Sequence, residues 1–260
     1  MDGATQLADV SPSLATRVLD AGLCSFDLHQ VAGPWRDARS APLLRAIRRN
    51  RNDVQVSATP TSSPFGAGSR KNLITSVDHA LASIQSDYLD ILFVRRPIAT
   101  VPLEETLDCL TDLVHRGKIL HIGLCGHPPL MLNHTVTLLR ERGITPSIHR
   151  FPYSLVRPWR IGRDTARYHG LGVIADPPPM TYDPQDIRET IAARELLHNA
   201  EQWHMSPEHL NLSWLWSCPE TVSVVIDATP ELLEDTLTAL RRPPLTAQQV
   251  EVLHHTCAQL

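Results

Sequence analysis

The sequence predicts an α/β fold with a parallel sheet, of the TIM (β/α)8 barrel type or doubly wound. Three observations point there. Apolar runs of strand length alternate with longer amphipathic segments. Most of these runs are continuous in Val, Ile and Leu, as parallel strands buried on both faces require. The length, 260 residues, is close to the ~250 residues typical of such a barrel. Regular β-α alternation on one sheet implies right-handed crossovers, so the arrangements to weigh are a barrel and a doubly wound sheet. No linker, low-complexity stretch or repeat interrupts the chain, which reads as a single domain over residues 1–260.

The elements follow in order. A helix is expected to begin near Ser11 and to run to Gly22. Strands are expected at Leu23–Asp27, Val54–Ala58, Ile91–Arg95, Ile119–Leu124, Ser147–Phe151, Val173–Asp176 and Val222–Ile226. Between them, Leu73, Val77, Leu81 and Ile84 recur at helical spacing behind Ser69, a suitable N-cap. Pro102-Leu-Glu-Glu opens another helix with proline and acidic residues in its first turn. Gly143 lies just past the end of a third. The stretch Pro177–Pro184 reads as a rigid loop, and Arg48-Arg49-Asn-Arg51 reads as a solvated helix end.

Composition narrows the function classes. With 24 Lys+Arg against 28 Asp+Glu, the net charge is −4, which leaves no electrostatic footprint for nucleic acid or an anionic membrane. No apolar run reaches spanning length, and the amino end has neither a basic nor an apolar leader pattern, so a cytoplasmic protein is expected. The 5 cysteines are scattered, with no Cys-x-x-Cys. The 13 histidines show no His-Glu-x-x-His or comparable spacing, so no metal site is expected.

From Leu19 to Leu240 the chain resembles the aldo-keto reductases. The resemblance rests on Leu19–Asp27, Leu73–Asp90, Pro102-Leu-Glu-Glu-Thr-Leu, Gly117–Leu124 and Leu212-Ser-Trp-Leu-Trp216. It implies a (β/α)8 barrel that moves hydride from NADPH to a carbonyl, using Asp, Tyr, Lys and His. Only the Asp has a match, Asp27. Ala32, Pro60 and Arg95 stand where the resemblance places the Tyr, Lys and His. Ala32 has no proton to give, Pro60 carries no charge, and Arg95 stays protonated at neutral pH. Cys125-Gly126 replaces the Ser-Asn that holds the nicotinamide amide, Arg150 its Gln, and Asp176 the ring-stacking Tyr. Asp227 replaces the Gly before the adenosine-phosphate loop, which lacks a basic residue. The string Asp164-Thr-Ala166 copies a family motif but precedes the wrong strand. The resemblance also implies a strand about 20 residues before Asp27. Residues 3–7 must form it, or the barrel has a gap that a second copy of the chain would cover.

Strand carboxyl ends line the active face of such barrels. Those ends carry Asp27, Arg95, Cys125, Arg150, Asp176 and Asp227. His29 and His127 follow strand ends, and Trp35 lies in a loop over the same face. Alternation predicts that His149 and Arg150 point to opposite sides, with Arg150 inward. Two readings compete for the charged cluster. One is an ion-pair network filling a disused cofactor cleft. The other is a site for a small polar or anionic metabolite, with Asp27 or Asp176 as base and Arg95 or Arg150 as clamp. In the latter, Asp27, Arg95 and Asp176 are catalytic, and Arg150, Cys125, His29, His127, Trp35 and Asp227 bind substrate. The expected activity is then non-redox acid–base chemistry (isomerase, dehydratase, lyase or cyclase) in the biosynthesis of a specialised metabolite, with no cofactor. The alternatives are an NADPH-dependent reductase with an unorthodox site, and a non-catalytic accessory or binding subunit.

Overall fold

The computed structural model describes residues 11–29, 41–60, 66, 68–176, 187–226 and 229–258. They contain seven strands alternating with helices, the α/β pattern of a TIM-type barrel. The strand expected before Asp27 falls in residues 3–7, outside the described residues, as do Ala32, Trp35 and Asp227. The chain divides into two compact units, one of residues 1–149 with 228–230, the other of residues 150–227 with 231–260.

In the first unit, α1 (Pro12–Asp20) begins where the sequence sets it. Ser11 Oγ accepts from Leu14 N–H at 3.1 Å, and Pro12 fills the first turn, where no N–H is needed. Strands β1 (Ser25–His29), β2 (Gln55–Thr59), β3 (Leu89–Arg95) and β4 (Ile119–Cys125) lie side by side in chain order, all parallel. Helices α2 (Ala41–Arg49), α3 (Arg70–Ile84), α4 (Leu103–His115) and α5 (Pro129–Glu141) alternate with them. Ser69 caps α3 through Asn72 N–H, and Leu73, Val77, Leu81 and Ile84 form its buried stripe. The core strands carry Val56, Leu92, Phe93, Ile122 and Leu124, each buried. Gly123 is required at its place, because a Cβ there would overlap the Phe93 ring.

The arginine run after α2 differs from its expectation as a solvated end. Arg51 Nη2 meets Asp90 Oδ2 at 2.8 Å, with side chains only 12% and 17% exposed. Arg51 also donates to the carbonyls of Val54 and Tyr88, and its guanidinium lies 4.2 Å from the Tyr88 ring centre. Asp90 Oδ2 accepts from Val56 N–H at 2.7 Å, so one ion pair ties the starts of β2 and β3. Sequence spacing gives no hint of this pairing, since the partners lie on different elements. Arg51→Ala leaves a largely buried carboxylate, and a loss of about 3 kcal/mol is expected. Urea denaturation of the variant checks it.

In the second unit, β5 (Ile148–Phe151, which starts at the end of the first unit) leads to α6 (Arg160–Tyr168) and β6 (Gly172–Ala175). Two helices, α7 (Ile187–Gln202) and α8 (Pro207–Ser217), precede β7 (Thr221–Val224), which pairs in parallel with β6. Helices α9 (Pro230–Leu240) and α10 (Ala247–Ala258) follow. Trp214, 1% exposed, is the packing residue that its place in α8 suggests, with Tyr153 and His254 against it. The Trp159 ring packs edge-on to Phe151, with ring centres 5.0 Å apart. All seven sequence-expected strands are present, with no end shifted by more than two residues.

Candidate active site

Parallel register fixes which strand residues are neighbours. In the first unit Asp27 lies beside Ser57, and Ser57 beside Ile91. Ser57 Oγ donates to Asp27 Oδ1 at 2.9 Å, and Ser57 is 6% exposed. Asp27 itself is half-buried. Sequence reasoning missed Ser57, which becomes the in-register partner of Asp27 only once the two strands are paired.

Arg95 ends β3 and faces Cys125, the last residue of β4, in register. It is thus four positions beyond Ile91, outside the row that holds Asp27. Arg95 and its neighbour Arg96 are both exposed, and both line a crevice with Pro60, Gly68, Ile98 and Thr106. Pro60, in the place of the Lys, is buried directly after β2. Cys125 is half-buried. His29 ends β1.

His127 follows the end of β4 by two residues and is 1% exposed. Its Nδ1 is 3.2 Å from the Cys125 carbonyl. A carbonyl only accepts, so Nδ1 carries the proton and Nε2 is bare. Nε2 is buried with no hydrogen-bond partner among the described residues. His149, fully buried, presents its ring edge-on at 6.5 Å. Burial pushes His127 down to about 4, against the pull of the Cys125 carbonyl. Burial, and then His127, pushes His149 down to about 3. Both rings are neutral at pH 7.

In the second unit the structure joins two of the predicted residues. Arg150 Nε and Nη2 each lie 3.0 Å from Asp176 Oδ2. The Arg150 side chain is 5% exposed, that of Asp176 38%. The pair forms because β5 and β6 are neighbours: Asp176 N–H donates to the Phe151 carbonyl at 3.0 Å. His149 and Arg150 are both buried, as befits a strand covered on both faces.

This pair tests the fit of a nicotinamide. A carboxamide needs a donor for its oxygen and an acceptor for its NH2. Arg150 brings N–H donors and Asp176 carboxylate oxygens, the two kinds of group a carboxamide needs, side by side. The pair therefore suits the carboxamide, although neither residue offers an aromatic face to the ring. Among the described residues, no group of His, Cys, Asp and Glu is placed to hold a metal ion. No helix among them is long and apolar enough to cross a membrane.

Comparison with known proteins gives the family. The aldo/keto reductase family pattern matches residues 13–256. L-Glyceraldehyde 3-phosphate reductase of Escherichia coli (strain K12) is 28% identical over 279 aligned positions, covering 92% of this chain and 81% of that protein. Norsolorinic acid reductase A of Aspergillus parasiticus is 30% identical over 112 positions, 39% of this chain and 29% of that protein. These relatives bear reductase names, which overturns the expectation of non-redox chemistry and of no cofactor. The physical reason is that hydride is the cofactor's to give. Losing Tyr, Lys and His removes proton donation and its tuning, not the hydride. Family pattern and relatives agree across nearly the whole chain: it belongs to the aldo/keto reductase family.

Proposed function

We propose that the chain is an NADPH-dependent reductase of small carbonyl compounds, with an altered site for the proton. The observation that carries this reading is the similarity to L-glyceraldehyde 3-phosphate reductase over 92% of the chain. The nucleotide supplies the hydride when bound. Arg150, held by Asp176, donates to the carboxamide oxygen, and Asp176 accepts from its NH2. Arg95 replaces an acid with a permanent cation: it polarises the carbonyl and stabilises the alkoxide as charge develops on oxygen. Asp27, oriented by Ser57, passes a solvent proton to that alkoxide. Cys125, beside Arg95 in register, borders the carbonyl. Five free cysteines fit the reducing cytoplasm, where we place the protein.

NADPH is expected to raise the melting temperature and to quench intrinsic fluorescence at micromolar concentration. Arg150→Ala is expected to weaken binding at least ~10-fold, the loss of one charge-assisted hydrogen bond. Thermal shift of the wild-type chain at millimolar NADPH with no change would sink the reading.

A further inference from the structure

The hydride reaction needs one cation at the end of β3, and the chain places two there. Arg95 and Arg96 are adjacent and exposed, and among the described residues neither guanidinium has a hydrogen-bond or ion-pair partner. Arg45 and Arg49 of the same unit are likewise exposed with no partner among the described residues, but they lie on a helix and line no crevice with each other. Three further arginines are paired. Arg51 is paired with Asp90, Arg70 with Asp112 and Arg142 with Asp108. The Glu105 carboxylate accepts from the Arg70 backbone N–H at 2.9 Å. Two like charges on successive residues repel, and an anion between them removes that cost.

The surroundings are built rather than loose. Pro97 fixes the chain direction after Arg96, and Val101 N–H closes a turn onto the Ile98 carbonyl at 3.1 Å. Thr106 Oγ1 donates to the Gly68 carbonyl at 2.8 Å, fixing the opposite wall. Gly66, at φ +84, packs so closely that a Cβ would lie 2.5 Å from Val101 Cγ2. Among the described residues, Arg95 and Arg96 are the charged side chains that line the crevice between these walls. A phosphate monoester, with about −1.5 to −2 charge at pH 7, is drawn to the Arg96 fork and the doubly positive strand end more strongly than a carboxylate is.

We propose that Arg96, next to the Arg95 assigned to the carbonyl, forms a binding site for the phosphate group of a small phosphorylated compound. As a substrate subsite this rests on the reductase reading; as an anion site it does not. Calorimetric titration of the full chain without nucleotide separates the two. Inorganic phosphate and glycerol 3-phosphate are expected to bind at millimolar concentration or tighter, glycerate more weakly, and glycerol not at all. Added sodium chloride is expected to weaken binding by screening. Arg96→Ala is expected to lose at least ~10-fold in phosphate affinity, with Arg96→Lys intermediate, because lysine keeps the charge but not the fork. Arg96 is exposed, so its variants are expected to melt as the wild type does. No phosphate binding to the wild type, glycerate binding as tightly as glycerol 3-phosphate, or equal phosphate binding by Arg96→Ala, overturns the proposal. Phosphate binding without any NADPH binding leaves the anion site standing and removes the reductase reading.

Discussion

Arg95→Ala is expected to lower kcat/KM for carbonyl reduction by about 10²–10³-fold, the usual cost of removing one group that stabilises a developing oxyanion. The NADPH dissociation constant is expected to stay unchanged, because the residues assigned to the carboxamide are Arg150 and Asp176. The fall should lie in kcat more than in KM, since the alkoxide charge exists only past the ground state. Arg95→Lys should recover part of the loss. Arg95→His would restore a titratable acid at the strand end, so its rate should fall as pH rises through the imidazole range, where the wild type stays flat. Steady-state kinetics across pH separates these outcomes. An alanine variant with full kcat would show that Arg95 does not touch the reacting oxygen.

Acidification is the second large effect. His127 and His149 are buried and neutral, with pKa values lowered from 6.5 to about 4 and about 3. In the unfolded chain both titrate near 6.5. Between pH 6.5 and about 4 the unfolded state therefore binds more protons than the folded one, and stability falls as pH falls. Each histidine contributes at most about 1.4 kcal/mol per pH unit in its window. For His127 the window closes near 4, and for His149 near 3. The stability these rings provide by staying neutral is fully present above pH 6.5. A drop of several kcal/mol between pH 7 and 5 is therefore expected in urea denaturation. His127→Gln keeps a donor for the Cys125 carbonyl without a titratable ring. It should flatten the upper part of the curve, and an unchanged slope would remove His127 from this account.

The site was legible in part, for reasons visible at single residues. Arg150 and Asp176 stood out because each breaks an apolar strand end with a charge, and a buried guanidinium needs an anion. Which anion it takes follows from β5 lying beside β6, a fact of pairing that local sequence does not hold. Ser57 was invisible for the same reason: a serine within an apolar run carries no signal until Asp27 is set opposite it. Arg51 misled, because a basic run after a helix looks solvated until Asp90 is brought to it from another strand. The misreading of the reaction had a different origin. The residues at the positions of Ala32, Pro60 and Arg95 report on proton transfer, whereas the reacting hydride belongs to the cofactor.

The sequence by itself determined the α/β class, the order of the seven described strands and the caps at Ser11 and Ser69. Each of these depends on the pattern within a short stretch: a continuous apolar run, a helical stripe, a hydroxyl before a first turn. The tertiary structure alone decided that Arg150 is neutralised by Asp176, that Ser57 holds Asp27, and that Arg95 and Arg96 remain without a described partner. Those outcomes depend on which distant residues share a register row or a crevice. A charge is stabilised by the partners the fold places within hydrogen-bond reach, and the chain order of residues does not state that distance.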